Sequence, residues 1–300
     1  MFLMISIKRT IFLSIIGPGT MGNVFVFVNY MCIFFRDTKK KSIHLILIHL
    51  AFTNIIILFS KVTLKTIHTS GLRHFPDDTG CKMFAYLERL ARGLSICTSS
   101  FLTVVQATTI SPRASVCASF KPASTWPILP FSLFFWILNS LLSMNLCYYM
   151  KNINSLNGSQ IGESEGHCVF LPASQTTRWV FLILMALRDF LFLGLMGWAS
   201  VSMVCVLHKH HKHAGYLQKP KVLYHNPPEI RAAHSVLLLM LCFLFFYWPD
   251  CIISLYLNSF FDNKFLILNI LEVLSVGYVI LSPFVLIHRD GHLAECWHSH

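Results

Sequence analysis

Glu88, Arg89 and Arg92 stand within two turns of any helix that carries "YLERLARGLSIC", the stretch from Tyr86 to Cys97, although the sequence around it is apolar. Further along, Arg188 adjoins Asp189, and Asp250 and Glu272 interrupt two other greasy runs. Acids and bases so placed can pair with one another or recognise a ligand. They do not assemble a known catalytic signature, because H-E-x-x-H, G-x-S-x-G and G-x-x-x-x-G-K-[ST] are all missing from the chain. No residue is therefore assigned a catalytic role, and no cofactor is implied.

What could hold such charges follows from composition. Of the 300 residues 55% are hydrophobic and only 12% charged, too few charges to cover the surface of a soluble domain of this length. Seven apolar segments recur, at approximately 11–35, 43–64, 81–109, 128–150, 179–207, 232–257 and 265–288. Each is close to the roughly 20 residues that span a bilayer. The fold class read from this is an all-α membrane protein, one bundle of seven transmembrane helices over residues 1–300. The net charge of +11 sits in short patches between apolar runs, which suits membrane-surface loops and a lipid environment rather than nucleic acid. The first segment is too long for a cleaved leader and is read as its own insertion signal.

With the N-terminus outside, twelve Lys and Arg residues fall in inner loops and seven in outer segments, the bias expected of an inserted bundle. The C-terminus is then cytoplasmic and the expected location is the plasma membrane. Asn157-Gly158-Ser159 is the one glycosylation sequon, and this orientation puts it in the second outer loop. Most cysteines lie in spans or near the inner face and read as small apolar residues. Cys81 and Cys168 lie outside, where conditions are oxidising and neither has another partner, so a disulfide between them is expected.

At 1.5 Å per residue, Glu88, Asp250 and Glu272 lie roughly 10 Å below the outer boundary, and Arg92 roughly 15 Å. Arg188 and Asp189 lie near mid-depth. Lys61 is close enough to the outer end of its span to snorkel to the headgroups. Four acids face four bases at about one level, and Glu88 and Arg92 have the i,i+4 spacing of a helical ion pair. Two readings follow: ion pairs that hold helices in register, favoured for Arg92 and Asp189, or the lining of a ligand cavity, as open for Glu88, Asp250 and Glu272. A balanced ring of charge suits an uncharged or weakly polar organic ligand.

Seven spans together with "RLARGLSICTSSFLTVVQATTISPR" and "LRDFLFLG" resemble the vomeronasal type 1 receptors, a branch of the G protein-coupled pheromone receptors. Gly22-Asn23, "HLILIHLAFTN", "PPEIRAAHSVLLLM", "YWPDCIIS" and "LSPFVLI" follow in the same order over nearly the whole chain. The resemblance implies a rhodopsin-like bundle, a Cys81–Cys168 disulfide, glycosylation at Asn157 and signalling through a Gi/o-type G protein. It also implies a small volatile or steroid-like ligand. "TISPR" stands where most rhodopsin-like receptors carry Asp-Arg-Tyr, and Ser282-Pro283 stands in place of Asn-Pro-x-x-Tyr. Glu88 is more acidic than the family pattern leads one to expect, and "GYVILSP" departs from it before the last proline.

A ligand acting through such a bundle would shift its population between two packings, with Pro249 and Pro283 as candidate hinges. "HKHHKH" at 208–213 has metal-ligand chemistry but reads as a basic helix end, and no metal is assigned. The competing classes are a bitter-taste-like receptor and a small-solute or proton-coupled transporter. The outer cysteine pair argues against the first. The second usually shows repeated halves, which this chain lacks.

Overall fold

The computed structural model describes residues 2–36, 41–70, 78–110, 128–152, 168–170, 174–217, 228–259 and 265–289. Seven helices carry nearly all of them: α1 (Phe2–Arg36), α2 (Lys41–Ser70), α3 (Asp78–Ile110), α4 (Ile128–Tyr149), α5 (Gln175–Leu217), α6 (Pro228–Ser259) and α7 (Phe265–Arg289). Five contain windows long and apolar enough to cross a membrane. Among the described residues, α6 and α7 carry shorter apolar stretches, Val236–Pro249 and Val273–His288. The helices outrun the apolar segments. The longest, α5, continues to Leu217 and takes the "HKHHKH" tract into its last turns.

The packing closes a ring, with α1 against α2 and α7, α7 against α6, and α6 against α5, while α3 touches α2, α4, α5 and α6. The segment with the most charges is thus the most enclosed. Of the spanning window in α3, 78% is buried, against 28% in α4. An interior helix meets other helices rather than lipid, so its polar groups can find partners on every side. Leu47, Leu50 and Leu58 of α2, Leu94, Ile96 and Leu102 of α3, Met196 of α5 and Phe243 of α6 form the fully buried core.

On α4 the buried residues Ile128, Phe135, Asn139, Ser143 and Leu146 fall on one helical stripe. Leu133, Phe134, Ile137 and Leu141 are exposed on the other side. A soluble protein would not leave so large an apolar face in water, but lipid accepts it.

Two three-residue strands were not expected from the sequence. β1 (Met150–Asn152) follows α4 directly and pairs antiparallel with β2 (Cys168–Phe170), with Asn152 opposite Cys168. A lone hairpin is marginal in water, and here β1 also packs against α3. Asn157 lies outside the described residues. So do the side chains of Cys81, Cys168, Asp250 and Glu272, although their backbones belong to α3, β2, α6 and α7.

Candidate functional site around the third helix

Each side of α3 makes a different polar contact. Toward α2, Glu88 Oε1 meets Lys61 Nζ at 2.7 Å, with both side chains only about one-fifth exposed. This corrects the expectation that Lys61 snorkels to the headgroups. An acid one helix away inside the bundle is a nearer counter-charge, and joining it desolvates both groups together. Reversing either charge, as in Lys61→Glu or Glu88→Lys, should destabilise the protein by about 2 kcal/mol, between the exposed and buried regimes for ion pairs. The double reversal should recover most of that loss, as read by melting of the detergent-solubilised protein.

Toward α6, Arg92 donates from Nε to the Tyr247 hydroxyl at 3.0 Å, and its guanidinium carbon lies 4.8 Å from the Tyr247 ring centre. Guanidinium stacks well on an aromatic face because it is planar and weakly hydrated. The contact continues downward. Tyr247 stacks on Phe243 at 4.8 Å, Phe243 meets Tyr278 of α7 edge-on at 4.5 Å, and the Tyr278 hydroxyl lies 3.0 Å from Ser99 Oγ, back on α3. A continuous aromatic path therefore runs from the charged layer to mid-bundle through three helices.

Toward α5 and α4, Arg188 donates from Nε and Nη2 to Asp189 Oδ1 at 2.8 and 2.6 Å. Its Nη1 donates to Asn139 Oδ1 at 2.8 Å, and Asn139 Nδ2 donates to the Phe135 carbonyl at 2.8 Å. Arg188 is 7% exposed and Asn139 is fully buried, so this cluster faces protein and not an open cavity. It fits only because residue 93 is glycine: a Cβ there would overlap Asn139 Oδ1 and Arg188 Nη1.

Below lies an uncharged layer. Pro283 has no N–H, so the Val279 carbonyl one turn earlier loses its helical donor. Asn23 of α1 donates its Nδ2 to that carbonyl at 2.9 Å, and Ser282 Oγ approaches it at 3.4 Å. Asn54 of α2 then donates to Asn23 Oδ1 at 3.1 Å and Ser282 Oγ at 2.9 Å, and Ser95 of α3 reaches Asn54 Oδ1 at 3.4 Å. Gly22 lets α1 approach this closely, since its Cβ would stand 3.0 Å from the Pro283 ring. Toward the N-terminal end of α2, Trp136 Nε1 donates to His49 Nε2 at 2.9 Å. An indole can only donate, so the histidine proton is on Nδ1, which then donates to Thr98 Oγ1 at 2.9 Å.

The structure thus brings Glu88, Arg92, Arg188 and Asp189 around one helix but gives them different partners. Asn139, Tyr247 and Gly93 escaped the sequence reading, although an Asn midway along an apolar span and a Tyr one turn before a charged residue were available signals. Pro249 interrupts α6 two residues past Tyr247.

Comparison with known proteins follows the same outline. Residues 6–299 match the model of the vomeronasal organ pheromone receptor family. The chain is 31% identical over 286 residues to human vomeronasal type-1 receptor 2, covering 95% of this chain and 72% of the relative. It is 30% identical over 272 residues to human vomeronasal type-1 receptor 4, covering 91% and 90%. Rat vomeronasal type-1 receptor 90 is 31% identical over 290 residues, covering 96% and 92%. A seven-helix membrane bundle with this match along nearly its whole length belongs to the vomeronasal organ pheromone receptor family.

Proposed function

We propose that this receptor binds a small volatile or steroid-like organic molecule in the outer half of the bundle and signals through a Gi/o-type G protein. The observation that carries the reading is the Arg92–Tyr247 contact. It joins α3 to α6 at the charged end of the aromatic path and just below Pro249. A ligand that competes for either group changes how α6 sits on α3, and differential affinity for two packings is what shifts a population. Pro249 and Pro283 serve as the hinges. At Pro283, movement must either carry the Asn23–Val279 bond with it or break it.

In this reading the N-terminus is extracellular and the C-terminus cytoplasmic, in the plasma membrane. Cys81 and Cys168 form a disulfide, supported by β2 pairing with β1 and β1 packing on α3, and Asn157 carries a glycan. The cationic inner loops face the G protein.

The test uses intact cells expressing the receptor with an N-terminal tag and a Gi/o readout of falling cyclic AMP. The tag should be accessible from outside, and active volatile or steroid-like compounds should lose about tenfold in potency in Tyr247→Ala at equal surface level, a change of about 1.4 kcal/mol. An internal tag, or potency indifferent to Tyr247 and Arg92, would overturn the reading.

A further inference from the structure

Between α6 and α7 the bundle carries a groove that the charged layer does not use. It has a volume of about 870 Å³ and is walled by Leu241, Phe245, Phe246 and Trp248 of α6 and Leu281 of α7, with Pro249 at one end. Leu241, Phe245, Trp248 and Leu281 are exposed, so the groove opens sideways into lipid. Its shape follows from the residues at the seam. A Cβ at Gly277 of α7 would overlap the Phe246 ring, so glycine there lets that ring seat against the bare helix. Leu281 stands one turn further along the same face of α7. On α6 the Phe245 ring meets Phe246 edge-on at 5.2 Å, and Trp248 meets Phe190 of α5 edge-on at 6.0 Å. The walls are thus rings braced by other rings.

We infer that this groove binds a membrane sterol, at a site separate from the outer-half pocket proposed for the activating ligand. Among the described residues no charged or hydroxyl-bearing side chain lines it, so it offers nothing to a lipid headgroup or an acid. Its volume lies within the roughly 300–1,000 Å³ of small-molecule sites, and its walls have their apolar and aromatic character. Rigidity separates a sterol from an acyl chain. A fused ring body lies flat on an aromatic face and has little freedom to lose, whereas a chain must give up its rotamers on binding. A sterol held here bridges α6 to α7 beside Pro249 and favours the packing in which the groove is formed.

The test uses purified full-length protein in phosphatidylcholine nanodiscs with a diazirine-bearing cholesterol analogue, followed by peptide mapping. Labelling should centre on residues 241–249 and Leu281, saturate, and be displaced by unlabelled cholesterol. Phe245→Ala deletes one wall and should weaken binding about tenfold, the loss expected for an aromatic contact taken out of lipid-excluded surface. Leu281→Trp fills the groove and should abolish binding. Both residues are exposed, so neither change should lower the sterol-free melting temperature. Cholesterol should raise the melting temperature of the unmodified protein but not that of Leu281→Trp. Labelling that neither saturates nor responds to the two variants would be ordinary contact with bulk lipid and would overturn the proposal. Equal labelling of these positions by a diazirine-bearing phosphatidylcholine, lost alike in Leu281→Trp, would overturn it in favour of an acyl chain. Cross-linking of two copies through Phe245→Cys, without saturable sterol labelling, would give the face to a second copy of the chain.

Discussion

Replacing Arg188 by Met is expected to cost the receptor about 3–5 kcal/mol, the range for stripping one partner from a buried ion pair. The substitution is nearly isosteric along the stem, so packing loss is small and the electrostatic loss dominates. Asp189 would keep its charge near mid-depth without the Nε and Nη2 donors that now hold Oδ1. Asn139 Oδ1 would lose the Nη1 donor as well. Against a total stability of about 5–15 kcal/mol, such a loss should deplete the receptor from the cell surface and lower its melting temperature in detergent. The double variant Arg188→Met with Asp189→Asn should regain most of the loss, because Asp189 then no longer leaves an unpaired charge at that site. Wild-type stability in the single variant would show that the ion pair contributes nothing, and that water or lipid headgroups reach Asp189.

Gly93→Ala should destabilise by about 3 kcal/mol, at the upper end of the usual penalty for overpacking a core. One methyl is a small addition, but its place is already filled by the Asn139 oxygen and the Arg188 guanidinium. Neither is the free end of a flexible chain, since each is held by hydrogen bonds on its other side. Accommodating the methyl must separate α3 from α4 or break the Arg188–Asn139 bond. Combined with Asn139→Ala, which vacates the overlapping atom, Gly93→Ala should become much milder. Residues sharing one network are non-additive in this way. Melting of the single and double variants measures it directly; equal penalties with and without Asn139 would place the strain elsewhere.

Much of the fold was legible from sequence, because hydropathy and charge bias act locally along the chain. Seven apolar segments are enough to call for seven helices, and charges inside them call for an interior rather than a lipid-facing position. The third segment can carry Glu88, Arg89 and Arg92 because it is central. Its charges lower its mean hydropathy and also require partners on several sides, and α3 touches four other helices. Helical spacing marked Glu88 and Arg92 as neighbours, but it is silent on distant competitors. Lys61 reaches Glu88 from another helix, and Tyr247 reaches Arg92 from across the bundle.

The sequence by itself determined the class of molecule, the number of spans and the set of ionisable groups enclosed by them, since each follows from residue types within one segment. Tertiary structure alone decided the pairing. Asn23 satisfies the carbonyl freed by Pro283 from 256 residues away, and Gly93 makes room for an arginine on α5. Such contacts depend on the rotation of each helix about its axis and on its distance from its neighbours. Packing of the whole bundle sets both quantities, and no periodicity within a single segment encodes them.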